Sequence, residues 1–254
     1  LSRIKDCLMR PFVRTPLRVI DQAELMARLS HEMRTSLTGI VGYSEFLEST
    51  STEPMVNFTA KIIKESSQGL ARVSNSFFDL QNIESGKLKL NKTWFSIREL
   101  VRNAIQMHQS LARELNISLL FRCSDDLFLI EMYADALRMR QVLDALIYGA
   151  IQSTSKGESI HIDIMLDSLK TDVMVKIIFP DTRVDSAQIE LCKQFWAGNQ
   201  YNFKLQEGPG IEMALAKRLI YFMQGVAVYR ASKRHPPELI VSLPIRCELS
   251  NGRV

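Results

Sequence analysis

Three side chains within one short stretch could carry phosphoryl chemistry: His31, Glu32 and Thr35, in the run Ser30-His31-Glu32-Met33-Arg34-Thr35. A histidine near neutral pH is often an uncharged imidazole, and a carboxylate beside it can accept its proton or hold the ring while the other nitrogen attacks. Glu32 is placed for that role. Thr35 lies four residues beyond His31 and three beyond Glu32, so one helix face presents imidazole, carboxylate and hydroxyl together.

Such a trio needs a helix to hold it. Leu25, Leu29, Met33, Leu37, Ile40, Ser44 and Leu47 recur at intervals of three and four, the spacing of one apolar helical stripe, with His31 off that stripe. This predicts a helix over about 17–47. A turn at 48–53 follows, where Ser51 or Thr52 can cap a second helix that carries Pro54 in its first turn. That helix spans about 54–84, with Phe58, Ile62, Ala71, Phe77, Phe78 and Leu80 among its apolar positions, and Gly86 stops it. One hairpin cannot cover its own stripe, so two should pair by twofold symmetry into a four-helix bundle.

Beyond Gly86 the pattern becomes mixed α and β. Residues 87–90 read as a short strand, and Ser96 with Glu99 forms a capping box opening a helix through about Arg113. Strands are predicted over 117–122, 127–133, 160–166, 173–179, 226–231 and 239–244, with helices near 135–154, 186–196 and 210–224. Paired strands separated by helices give a two-layer α/β sandwich. The expected organisation is a linker from an upstream sensor over 1–17, a helical hairpin over 18–86, the sandwich over 87–248 and a tail over 249–254.

Composition narrows the function classes. With 254 residues, 46% of them hydrophobic, the chain is long enough for two domains with a sizeable core. A net charge of +4 and the lack of aromatic-basic interleaving give no nucleic-acid surface. Cys7, Cys123, Cys192 and Cys247 are far apart, indicating neither a zinc site nor a disulfide framework, which fits a reducing cytoplasm. His108, His161 and His235 have no carboxylate or second histidine at ligand spacing and read as structural, so no metal site is expected. No apolar run reaches the length of a membrane span. Arg3, Lys5, Arg10 and Arg14 in the proline-broken N-terminal stretch suit a linker lying just inside a membrane to which a longer parent protein is anchored.

Four stretches then carry a family resemblance. SHEMRTSLTGIVGYSEFL resembles the phosphoacceptor box of sensor histidine kinases, usually SHELRTPLTxIxG. FFDLQNIESGKLKLNKTWFSIREL is similar to the end of their second bundle helix and the start of the ATP-binding domain. YADALRMRQVLDALIYGAIQSTSKG resembles their asparagine box, and GPGIEMALAKRLIYFMQG their last glycine box. The resemblance implies a dimerisation and phosphotransfer hairpin followed by a Bergerat-type ATPase domain. It also implies His31 as phosphoacceptor, Glu32 and Thr35 as residues that orient water for receiver dephosphorylation, and ATP with magnesium as the family's cofactors.

The same alignment marks departures at every ATP box. Ala145 and Gly149 stand where asparagines belong, the second being the family's magnesium ligand. Asp181 matches the family's adenine-reading residue, but Arg183 and Asp185 replace two glycines of a tight turn. In the last box Gly208 and Gly210 remain, Pro209 removes a donor, and Glu212 brings a carboxylate toward a helix N-terminus that should hold the triphosphate. Residues 197–206 occupy the place of the ATP lid. Ser36 replaces the usual proline after the acceptor box, which predicts a straighter or differently hinged first helix.

The split between an intact acceptor helix and altered ATP boxes leads to a regulatory pseudokinase, similar to hybrid kinases of the RetS type that restrain a partner kinase. Its expected partners are a second copy or a partner histidine kinase, and a receiver domain or response regulator. The alternative is an ATP-dependent autokinase that phosphorylates His31 and passes the group to a receiver aspartate. A third reading makes the chain a structural relay between a sensor and downstream domains.

Overall fold

The computed structural model describes residues 22–128, 130–169, 171–180, 192, 195, 196, 210–232, 235–244 and 246–249. The linker read over 1–17, most of the helix read over 186–196, the lid over 197–206 and residues 250–254 of the tail lie outside the described residues. The chain divides into two compact units, Leu1–Ala71 and Arg72–Val254, the division falling inside the second long helix.

In the first unit, α1 (Gln22–Thr50) leads into α2 (Pro54–Glu84). The helix therefore runs three residues past the predicted end, and the connection shrinks to 51–53. Ser51 closes it: its Oγ accepts from Glu53 N at 3.1 Å, and its carbonyl accepts from Asn57 Nδ2 at 3.0 Å. Lys64 of α2 hydrogen-bonds Glu48 of α1, and this contact holds the lysine above its ordinary pKa. α1 is one unbroken helix through Ser36, whose Oγ donates to Glu32 O at 2.9 Å.

Inside this unit Leu37, Ser44, Ala60 and Ser67 are buried. Of the predicted α1 stripe, Leu29, Met33, Ile40 and Leu47 stay 37–43% exposed. A hairpin offers each helix only one neighbour, so half of a bundle seam has nothing to pack against within one chain.

The second unit opens with the end of α2. It continues through β1 (Thr93–Phe95), α3 (Ile97–Glu114), β2 (Ser118–Cys123), a 3-10 turn at Asp125–Leu127, β3 (Ile130–Ala134), α4 (Ala136–Ser153), β4 (Ser159–Leu166) and β5 (Asp172–Ile178). After a gap come α5 (Gly210–Phe222), β6 (Val226–Ser232), β7 (His235–Pro244) and β8 (Arg246–Leu249). The main sheet has the order β2-β4-β5-β7-β6, with only the β2–β4 pair parallel. Its strands alternate in burial, so Ile160, Ile162 and Ile164, then Val173, Val175 and Ile177, point into one core with Val101, Leu146 and Leu219 of the helices. This is the two-layer α/β sandwich.

A second sheet, β1-β3-β8, was only partly foreseen. The predicted strand at 87–90 is absent because its donors are used elsewhere: Lys87 N and Leu88 N both donate to Asn82 O, at 2.9 and 3.0 Å, closing the C-terminus of α2 around Gly86 at φ +68°. The strand forms instead at 93–95 and pairs with β3. Leu127, read as strand, is a fully buried residue of the 3-10 turn. The helix caps are local. Ser96 caps α3 by accepting from Glu99 N, and Asp135 caps α4 by accepting from Arg138 N at 3.0 Å. Among the described residues no helix is long and apolar enough to cross a membrane.

Candidate functional site

On α1, His31, Glu32 and Thr35 are all exposed. Thr35 Oγ1 donates to His31 O at 2.9 Å, the back-bond to the preceding turn available to a helical threonine. With its proton committed there, the hydroxyl oxygen turns its lone pairs outward and can accept from a water molecule. The side chains of His31 and Glu32 share no hydrogen bond, because adjacent helical residues diverge by about 100°. Glu32 is therefore a free-standing carboxylate one helical step around from the imidazole.

The positions that match ATP boxes fall into two groups. Asp181, Arg183, Asp185 and Gly208 lie outside the described residues. Ala145 and Gly149 lie on α4 and Gly210 and Glu212 in the first turn of α5, and these two helices pack against each other. Ala145 is buried. At Gly149 a Cβ would stand 2.5 Å from Met213 Cε, the far end of a flexible side chain that would have to shift to admit it. Gly210 opens α5 at φ +82°, a left-handed conformation that favours glycine. Glu212, in the first turn, lies 3.4 Å from Arg72 Nε of α2 through its Oε1. Its carboxylate also suits the positive end of the α5 dipole.

Sequence reasoning missed several polar contacts because their partners are remote in the chain. His108 Nε2 lies 3.3 Å from Asp144 Oδ1, and Arg140 Nε donates to both Asp144 oxygens at 2.9 Å. Asp144 is thus committed to the α3–α4 seam, and His108 does have a carboxylate partner. Asp79 of α2 accepts from Arg138 and Gln141 of α4. Lys217 of α5 donates to Phe195 O and stands 4.9 Å from the Phe195 ring, and burial lowers its pKa. Only the i,i+4 pair Arg140–Asp144 carried a sequence signal. Among the described residues no group of three His, Cys, Asp or Glu side chains is placed to hold a metal.

Residues 21–86 match the His Kinase A (phospho-acceptor) domain family, and the α/β unit carries the fold of histidine kinase structures. Residues 21–86 are thus a phospho-acceptor hairpin of that family, and the chain as a whole is similar to sensor histidine kinases. Among its relatives, the sensor protein GacS of Pseudomonas syringae pv. syringae is 27% identical over 230 residues, covering 88% of this chain and 25% of that protein. The autoinducer 2 sensor kinase/phosphatase LuxQ of Vibrio parahaemolyticus is 24% identical, covering 89% of this chain and 26% of LuxQ. This chain thus spans about a quarter of the length of the curated relatives it matches. Among solved structures, full-length ShkA in complex with AMPPNP superposes with a TM-score of 0.67 at 22% identity, covering 89% of this chain and 47% of ShkA.

Proposed function

We propose that this chain is the transmitter region of a two-component protein that works through His31, Glu32 and Thr35 without phosphorylating itself from ATP. The observation that carries this reading is the contrast between an open acceptor face on α1 and the asparagine-box positions of α4, where Ala145 and Gly149 carry neither an amide nor a metal-binding side chain. The residues present on α4 and α5 therefore do not fit the family's nucleotide and metal, and no step here runs through them.

The chemistry assigned to α1 is dephosphorylation of a receiver. A water molecule donates one hydrogen to Thr35 Oγ1 or to the Glu32 carboxylate, which aims its lone pair at phosphorus. The water oxygen bonds to phosphorus as the bond to the receiver aspartate breaks, the aspartate leaves as carboxylate, and the water proton passes to Glu32 or to solvent. His31 supplies the acceptor for phosphoryl exchange with a partner. That the relative LuxQ is named a kinase/phosphatase supports a phosphatase role for this chain. The working partners are a receiver domain and a second hairpin, from another copy or from a partner histidine kinase, as in regulatory hybrids of the RetS type. In this proposal the parent protein is anchored in the membrane and this region lies in the cytoplasm.

The test is label transfer from Mg-ATP to the purified chain, with His31→Gln as control, beside release of phosphate from an aspartyl-phosphorylated receiver. No label together with accelerated release is expected. Label that is lost in the control would establish the autokinase reading instead.

A further inference from the structure

The C-terminal half of α2 carries one polar stripe that the acceptor chemistry does not use. Asp79 Oδ2 accepts from Arg138 Nη1 at 2.8 Å and from Gln141 Nε2 at 2.9 Å, and Arg138 Nη1 also donates to Gln141 Oε1 at 2.8 Å. The Arg138 and Asp79 side chains are only 16% and 17% exposed, so the pair is shielded from water and cross-braced by a third side chain, where charge-assisted hydrogen bonds are most directional. Arg138 is fixed again through its own N–H, which donates to Asp135, while the other Asp135 oxygen accepts from Asn91 N at 2.8 Å.

Two turns earlier Arg72 reaches Glu212. Between these ties Ser76 is buried, and past them Leu80 and Ile83 pack against the core of the α/β unit. Residues 72, 76, 79, 80 and 83 share one helical face. The outer tie also answers an electrostatic need, since the first turn of α5 is a positive helix end that favours an anion and the Glu212 carboxylate supplies one from within the chain.

We propose that Arg72, Asp79, Arg138, Gln141 and Glu212 are positioning residues of a clasp that holds residues 72–84 of α2 on the α/β unit without nucleotide. Both anions of the clasp, Asp79 and Glu212, are side chains of this chain, so its closure does not require ATP. The clasp is independent of whether α1 dephosphorylates a receiver, and it is read without one.

Hydrogen–deuterium exchange on the intact chain tests it, with peptides from 159–178 as an internal reference for folding. In the unaltered protein, residues 72–84 exchange more slowly than residues 54–70, equally with and without Mg-ATP. Asp79→Ala speeds exchange of 72–84 by about tenfold, leaving 159–178 slow. Arg72→Glu or Glu212→Arg alone speeds it by about twofold, as suits an exposed pair, and the double reversal restores it. Equal exchange of the two halves of α2, protection that requires Mg-ATP, or an Asp79→Ala protein with unchanged exchange in 72–84 would each overturn the clasp. If Asp79→Ala also loosens 159–178, the Arg72/Glu212 reversal decides: failure to restore protection counts against it.

Discussion

On α1, His31, Glu32 and Thr35 stand in solvent and Thr35 is tied only to the carbonyl of its own helix. On α4 the two positions aligned with the asparagine box offer no ligand, Ala145 being buried and Gly149 having the flexible end of Met213 beside it, while Gly210 at the start of α5 has open space around it. The difference lies in what each kind of chemistry demands of a fold. An exposed helix needs only the right residue types, because solvent and partner supply the rest. A nucleotide cleft needs residue types and empty space together, and interiors pack close to crystal density, so a lost ligand side chain invites a neighbour into its volume.

The sharpest way to break the contrast is to remove the acceptor-face groups one at a time. Thr35→Ala and Glu32→Ala should each slow receiver dephosphorylation by about 100-fold, the usual scale for a lost proton-handling or water-orienting group. Thr35→Ser should keep most of the activity, since it keeps the hydroxyl. Unchanged phosphate release in both alanine variants would leave α1 as a scaffold and favour the structural relay.

The second test works from the other side. Gly149→Asn with Glu212→Gly and Met213→Leu returns three positions toward the family pattern. The triple variant should gain Mg-ATP affinity, read with a fluorescent nucleotide, by about tenfold over any single change, because neighbouring substitutions couple. Equal gain from Gly149→Asn alone would mean the Met213 end simply swings aside and the cleft was never closed.

How much of this was legible in the sequence depends on how local each signal is. β4 could be read because it alternates apolar and polar residues over most of its length, and β5 because it is rich in β-branched residues. α2 could be read end to end, but not the fact that residues from Arg72 onward belong with the α/β unit, since helical periodicity does not record what a face touches. The strand expected at 87–90 failed for a backbone reason, its donors being spent on Asn82 O. The Asp79–Arg138 and His108–Asp144 pairs join residues 59 and 36 apart, beyond any spacing rule. Met213 carries no signal of its own in the sequence, and only its distance to Gly149 singles it out. The helix that carries His31, Glu32 and Thr35 was legible because helical spacing is local, but the expected meeting of the Glu32 carboxylate with the His31 ring is not seen, since adjacent helical residues diverge.

The smallest test asks where acid sensitivity resides. Asp167, in the β4–β5 turn, accepts from the backbone N–H of Asp172 above all, and also from those of Thr171 and Leu169, and is held below its ordinary pKa. A depressed folded-state value means its contribution is present above the unfolded-state pKa and is lost as pH falls through the folded value. Between about pH 5 and about pH 2, thermal melting of the α/β unit should fall more steeply in the unaltered protein than in Asp167→Asn. Parallel curves would remove this turn from the account.

The uncovered stripe on α1 has a further consequence. Leu29, Met33, Ile40 and Leu47 each leave more than a third of their surface in water, and burying them in a second hairpin is worth more than any contact the lone hairpin makes there. Association of this kind is governed by mass action. Where the second hairpin comes from another copy, the paired population at low abundance grows with the square of the chain's concentration, so copy number itself would set how much of the chain is paired.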